Sequence, residues 1–128
     1  MSPRAPAFTD RELDVMAALW RHGPSTVAEV REAIADPLAY TTVLTVLRTL
    51  EAKGHVDHAE GDRAHRFRPL VSRAAAAAAA LRRVRDTLFD GSAVALADQL
   101  AALPGTSAGE LKRVRKQLKR RLKAGRKR

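Results

Sequence analysis

With 128 residues, the chain has room for one compact domain, or for a small domain with an appended oligomerisation segment. It has no cysteine, which excludes disulfides and thiolate metal sites, and its longest purely apolar run, AAAAAAAL at 74–81, is too short to cross a bilayer. The net charge of +10 is lopsided: residues 111–128 hold 11 Lys or Arg and no acid, while residues 1–110 hold 13 basic and 14 acidic residues, so a body at −1 precedes a segment at +11 that seeks polyanions.

The opening MSPRAPAFTDRE lacks the apolar centre of a signal peptide, so we expect a cytoplasmic protein with no membrane insertion. Thr9 and Glu12 form a capping box, and Leu13, Met16, Ala17 and Trp20 follow at helical spacing, which predicts a first helix over about 10–21 with those four facing inward. HGP at 22–24 breaks it. Thr26 and Glu29 form a second box opening a helix that carries Val27, Val30 and Ile34 inward and stops near Asp36-Pro37. The third helix is YTTVLTVLRTLEAKG, residues 40–54, closed by Gly54 in a left-handed cap.

That third helix carries four threonines, although β-branched residues are weaker helix formers. On a helical wheel Thr41, Thr42, Thr45, Arg48 and Thr49 share one arc of about 120°, opposite an apolar stripe of Val43, Val46, Leu47 and Leu50. A merely solvated face would more often carry Lys, Glu and Gln. Threonine offers a donor, an acceptor and a methyl for the methyl of thymine, and arginine can fork onto guanine or a phosphate.

After Gly54 the pattern alternates. HVDHAEGDRAHRFRPL reads as two short strands, about 55–60 and 64–68, around the turn EGDR. Three helices and a hairpin make a winged helix-turn-helix over residues 1–70. Ser72 opens a helix with seven consecutive alanines, whose apolar face continues through Leu81, Val84 and Leu88 to Gly91. A short helix SAVALADQLAAL follows, and then one capped by Ser107 and Glu110 whose Leu111, Val114, Leu118 and Leu122 form a seam one turn wide. So thin a set has little core of its own, so residues 71–122 are expected to pair with a second copy, leaving 123–128 as a basic tail. The fold class is therefore mainly α with a small β-hairpin wing, a winged helix-turn-helix plus a helical dimerisation segment.

Catalytic and metal roles find no support. The histidines are His22, His55, His58 and His65; His55 and His58, three apart on a strand, face opposite sides, and no HExxH, phosphate loop or GxSxG occurs. We expect no enzyme, metal or cofactor. Two rival binding modules remain, an architectural protein holding nucleic acid without sequence preference through its basic tail, and a winged helix that binds only protein.

The segments FTDRELDVMAALW, STVAEVREAI, AYTTVLTVLRTLEAKGHVDH, RFRP and LFDGS, spread over residues 8–122, resemble the penicillinase and methicillin-resistance repressors and the copper-responsive repressors related to them. The resemblance implies a homodimeric transcriptional repressor on a palindromic double-stranded DNA operator, with a protease or membrane sensor as the partner that inactivates it. Carried over residue by residue, its recognition-helix contacts fall on Thr41, Thr42, Thr45 and Arg48, with Thr49 at the edge. Tyr40 stands at the helix entrance toward the phosphate backbone. Arg63 at the wing tip and Arg66 on its second strand are candidates for phosphate or minor-groove contact. Three departures bear on regulation. The copper branch's cysteine hook is missing, the Asn-Phe bond cleaved in the β-lactam branch corresponds to about Gln99-Leu100 in a chain without asparagine, and KRVRKQLKRRLKAGRKR is more basic than the family's usual ending.

Overall fold

Two Thr-x-x-Glu boxes set the first two helices of the computed structural model, which describes residues 7–60 and 65–126. At Thr9 the hydroxyl accepts from the Glu12 amide at 3.2 Å and the Glu12 carboxylate accepts from the Thr9 amide at 2.8 Å, opening α1 (Asp10–His22). Thr26 and Glu29 repeat the arrangement for α2 (Val27–Ala33). Four backbone donors are thereby satisfied locally at helix starts that would otherwise need water. α3 (Tyr40–Ala52) has no side-chain cap at Ala39, and its end turns on Gly54 at φ +82°, where the amides of Gly54 and His55 reach back to the carbonyls of Glu51 and Leu50. An L side chain rarely takes that φ, so the glycine is what lets the chain reverse into the hairpin.

β1 (Val56–Ala59) and β2 (Arg66–Pro69) pair antiparallel, with His58 opposite Phe67 and Asp57 opposite Arg68. The strands are shorter than the sequence spacing predicted, and a third piece joins them: Ser25 exchanges both backbone hydrogen bonds with Phe67, at 2.9 and 2.8 Å. This one-residue bridge ties the wing to the loop between α1 and α2.

The core is built from Val15, Met16, Ala18 and Leu19 of α1, Val27 and Val30 of α2, Val43, Leu47 and Leu50 of α3, and Val56 and Phe67 of the hairpin. Two expectations are corrected. The buried face of α1 is rotated away from Leu13, which is 45% exposed, toward Val15, Ala18 and Leu19, because the charged Glu12, only 4% exposed, sits at the middle of the inward face and disguises it. α2 stops at Ala33, about a turn before Asp36-Pro37; Ile34 leaves the helix in extended conformation and packs on the core from there. Trp20 lies at the edge, donating from Nε1 to the Val71 carbonyl at 2.9 Å, with Phe8 edge-on to its ring and the Arg73 guanidinium over its face.

The chain divides into two compact units, Met1–Arg82 and Arg83–Arg128, with α4 (Arg73–Leu88) running from the first into the second. The alanine run is helical throughout, as alanine propensity dictates, and within it only Ala76 is buried. In the second unit, α5 (Ala93–Ala102) is capped by the Ser92 hydroxyl and α6 (Ala108–Arg126) by that of Ser107, which accepts from the Glu110 amide at 3.1 Å. No residue of α5, nor any described residue of α6, is buried. Among the described residues no helix is long and apolar enough to cross a membrane.

Candidate nucleic-acid interface

Burial of Val43, Leu47 and Leu50 fixes the rotation of α3, and everything on the opposite arc follows from it. Thr41, Thr42, Thr45, Arg48 and Thr49 are all exposed, and Tyr40 at the helix entrance is exposed as well. Val46, expected with the apolar stripe, is only half-buried at its margin. The hydroxyl of Thr45 donates to the Thr41 carbonyl at 2.9 Å and that of Thr49 to the Thr45 carbonyl at 3.0 Å. Those two protons are engaged within the helix, so Thr45 and Thr49 turn methyls and oxygen lone pairs outward. Arg48 makes no ion pair among the described residues, so its fork is available.

Beside this face runs a groove of about 390 Å³ that the sequence did not reveal. Tyr40, Leu44, Arg48 and Glu51, one per turn along α3, form one wall, and the Thr26–Ala28 segment with His58, His65 and Phe67 forms the other. His58, on the inner face of β1, contacts the Glu51 carboxylate and stacks edge-on with His65, ring centroids 5.0 Å apart. His55 packs instead against Phe8, so the two histidines do diverge. The spacing along α3 is present in the sequence, but the residues opposite arrive only when the hairpin folds back.

The charged groups around the site are mostly paired. Lys53, at the end of α3, reaches the buried Glu12 at 2.8 Å. Burial alone would push the Glu12 carboxyl up, but the Lys53 ammonium and the Thr9 amide and hydroxyl together hold it below its ordinary value. Arg66 of β2 pairs with Glu29 at 2.8 Å, and Glu29 is itself held low, first by the Thr26 amide and then by the Thr26 hydroxyl and Arg66. A phosphate contact by Arg66 would therefore share or replace the Glu29 pair. Across the outer face of the wing the Arg68 guanidinium forks onto Asp57, lowering the aspartate and raising the arginine. Arg63, the expected wing-tip contact, lies outside the described residues.

The residues expected to pair two chains stand on α4 and α6. Leu81, Leu88, Val114, Leu118 and Leu122 are exposed, while Val84 and Leu111 are partly covered. Gln99 and Leu100, the pair expected from the resemblance to stand near a cleavage bond, are exposed inside the regular helix α5.

Three helices, a two-stranded wing bridged back to the turn, and a third helix with an exposed, threonine-rich face define a winged helix-turn-helix protein. The profile of the penicillinase repressor family matches residues 8–120, and the chain belongs to that family. Transcriptional regulator BlaI of Mycobacterium tuberculosis, in strains CDC 1551 and H37Rv alike, is 48% identical over 67 residues, 50% of this chain and 49% of that protein's length. The chain thus spans about half the length of the curated relatives it matches. Among solved structures, a MarR family protein from Bacillus stearothermophilus shares the fold at a TM-score of 0.55 and 21% identity, covering 96% of this chain and 78% of the other. The Bacillus licheniformis BlaI monomer in complex with the blaP half-operator matches at 0.49 and 26%, over 56% of this chain and 90% of the other.

Proposed function

We propose that the chain is a sequence-specific DNA-binding transcriptional repressor that acts as a homodimer on a palindromic operator. The observation that carries this reading is the exposed face of α3, where short hydroxylated side chains and Arg48, without an ion pair among the described residues, occupy positions a solvated helix would fill with Lys and Glu. A helix of this kind enters the major groove with its small side chains against base edges, and the flanking cations hold the backbone. Family membership supports the same reading, as does the name of the mycobacterial relative, a transcriptional regulator.

Thr41, Thr42, Thr45 and Arg48 read bases, Thr49 lies at the margin, and Tyr40 and Arg66 approach phosphates. The seam of α6 with Leu81, Val84 and Leu88 of α4 joins two copies. Two α3 helices then meet successive major grooves about one helical turn, or a small multiple of it, apart. Repression follows from overlap with the polymerase site. Release follows an inducing signal, with proteolysis near Gln99-Leu100 as the route the family resemblance offers; a protease acting there must first unwind part of α5.

Selection of bound duplexes from a random pool, at near-physiological salt, tests the reading. A two-fold symmetric consensus is expected. Retention without enrichment would favour an architectural protein that binds through the exposed cations of α6.

A further inference from the structure

α6 carries, besides its apolar seam, an ordered stripe of cations. With Leu111 placed at 0° and about 100° per residue, Leu111, Val114, Leu118 and Leu122 occupy roughly −60° to 20°. Lys112, Arg115, Lys116, Lys119, Lys123 and Arg126 fall between about 40° and 140°, one or two per turn over four turns. Arg113, Arg120 and Arg121 are spread over the remaining arc, and the acid of the helix, Glu110, sits on that far side in the first turn. All nine cations are exposed, and none makes an ion pair among the described residues. A helix face serving only solubility would intersperse acids to make i,i+4 pairs, which stabilise it by a few tenths of a kcal/mol each. Here every such pair is forgone, so the helix bears a self-repelling ladder that only a polyanion relieves.

We infer that the Lys112–Arg126 stripe of α6 is a second DNA contact that binds the phosphate backbone without reading sequence. This rests on the DNA-binding reading above. Duplex DNA is the favoured partner because its phosphates form a regular line of single negative charges, matched by a cation at each turn, and because each one neutralised releases counterions. An anionic membrane is disfavoured: the seam beside the stripe is narrow and has no Trp, Tyr or Phe to settle at a headgroup boundary.

The test measures the affinity of the full chain for a random-sequence duplex of about 30 base pairs as KCl is varied. A stripe variant carries Lys112→Gln, Arg115→Gln, Lys119→Gln, Lys123→Gln and Arg126→Gln; a far-side variant carries Arg113→Gln, Arg120→Gln and Arg121→Gln. Circular dichroism and light scattering verify that helicity and oligomeric state are kept. With a log-log slope of about 0.9 per phosphate, the stripe variant should lose about 3 to 4.5 in slope and the far-side variant less than about 1. An unchanged slope in the stripe variant, or equal loss per charge from both sets, overturns the inference. So does capture of the wild type by phosphatidylserine vesicles at physiological salt combined with an unchanged DNA slope. Sequence selection on both variants separates this inference from the proposed function. A retained consensus with an altered slope supports both, a retained consensus with an unaltered slope removes only the stripe, and no consensus even in the wild type removes only the sequence reader.

Discussion

The Thr45 hydroxyl donates to the carbonyl oxygen of Thr41 at 2.9 Å, so the proton that could address a base is held inside α3. What Thr45 offers outward is a methyl and an acceptor. Thr45→Val keeps the methyl and the χ1 stiffness, and replaces the hydroxyl with a second methyl. Operator affinity of this variant should stay within about threefold of wild type, whereas Thr45→Ala withdraws a methyl worth roughly 0.8 kcal/mol, about fourfold. Titration of both against the selected operator decides the matter; equal losses would mean that the hydroxyl swings out and reads a base on binding.

Arg48 stands where the threonine face meets the groove wall, and its guanidinium has no carboxylate partner among the described residues. Arg48→Ala should weaken operator binding by roughly 1–3 kcal/mol while changing random-duplex binding far less. Arg48→Lys should recover little of the loss, because a single ammonium cannot reproduce a bidentate fork. Equal losses on operator and random DNA would place Arg48 on a phosphate.

The threonine arc was legible in the sequence because three buried aliphatics, Val43, Leu47 and Leu50, fix the rotation of α3 and hydrophobic periodicity reports that rotation directly. The capping boxes were legible for the same local reason. Other features needed tertiary information. Nothing near Glu12 in the chain announces Lys53, 41 residues away, as its partner. The Ser25–Phe67 bridge spans one residue on each side, too short for any alternating pattern, and the contacts of His58 with Glu51 and His65 depend on the hairpin's return path. The pairing of Arg66 with Glu29 likewise joins residues 37 apart.

Glu12 joins the start of α1 to the end of α3, and its carboxyl is held below its ordinary value of 4.5. A carboxyl depressed in the folded state stabilises fully above its unfolded value and loses that contribution as pH falls through the folded value. Stability should therefore decline from about pH 4.5 downward, with Glu29 and Asp57, depressed as well, adding to the decline. Glu12→Ala removes both the capping box and a hydrogen-bonded charge, for roughly 2–3 kcal/mol at neutral pH, and should flatten the acid limb. Urea denaturation between pH 3 and 7 reads both effects; an acid limb as steep as wild type would assign it to other carboxylates.

Leu118 is 55% exposed and Leu122 65%, on a helix with no buried residue among those described, and two leucines one turn apart in water are a seam awaiting a partner. On the proposed reading a second copy would supply one by two-fold symmetry, since the same stripe on each chain is self-complementary. Leu118→Asp puts a charge at the middle of that seam and should convert the dimer to monomer in sedimentation, with operator affinity falling at least tenfold because two half-sites no longer act as one ligand. The winged helix, whose core lies wholly within residues 15–67, should keep its own thermal transition. Leu13→Asp, a charge at an exposed leucine outside the seam, serves as the control and should leave sedimentation unchanged. A Leu118→Asp protein that still sediments as a dimer would move the interface to Leu81, Val84 and Leu88 of α4.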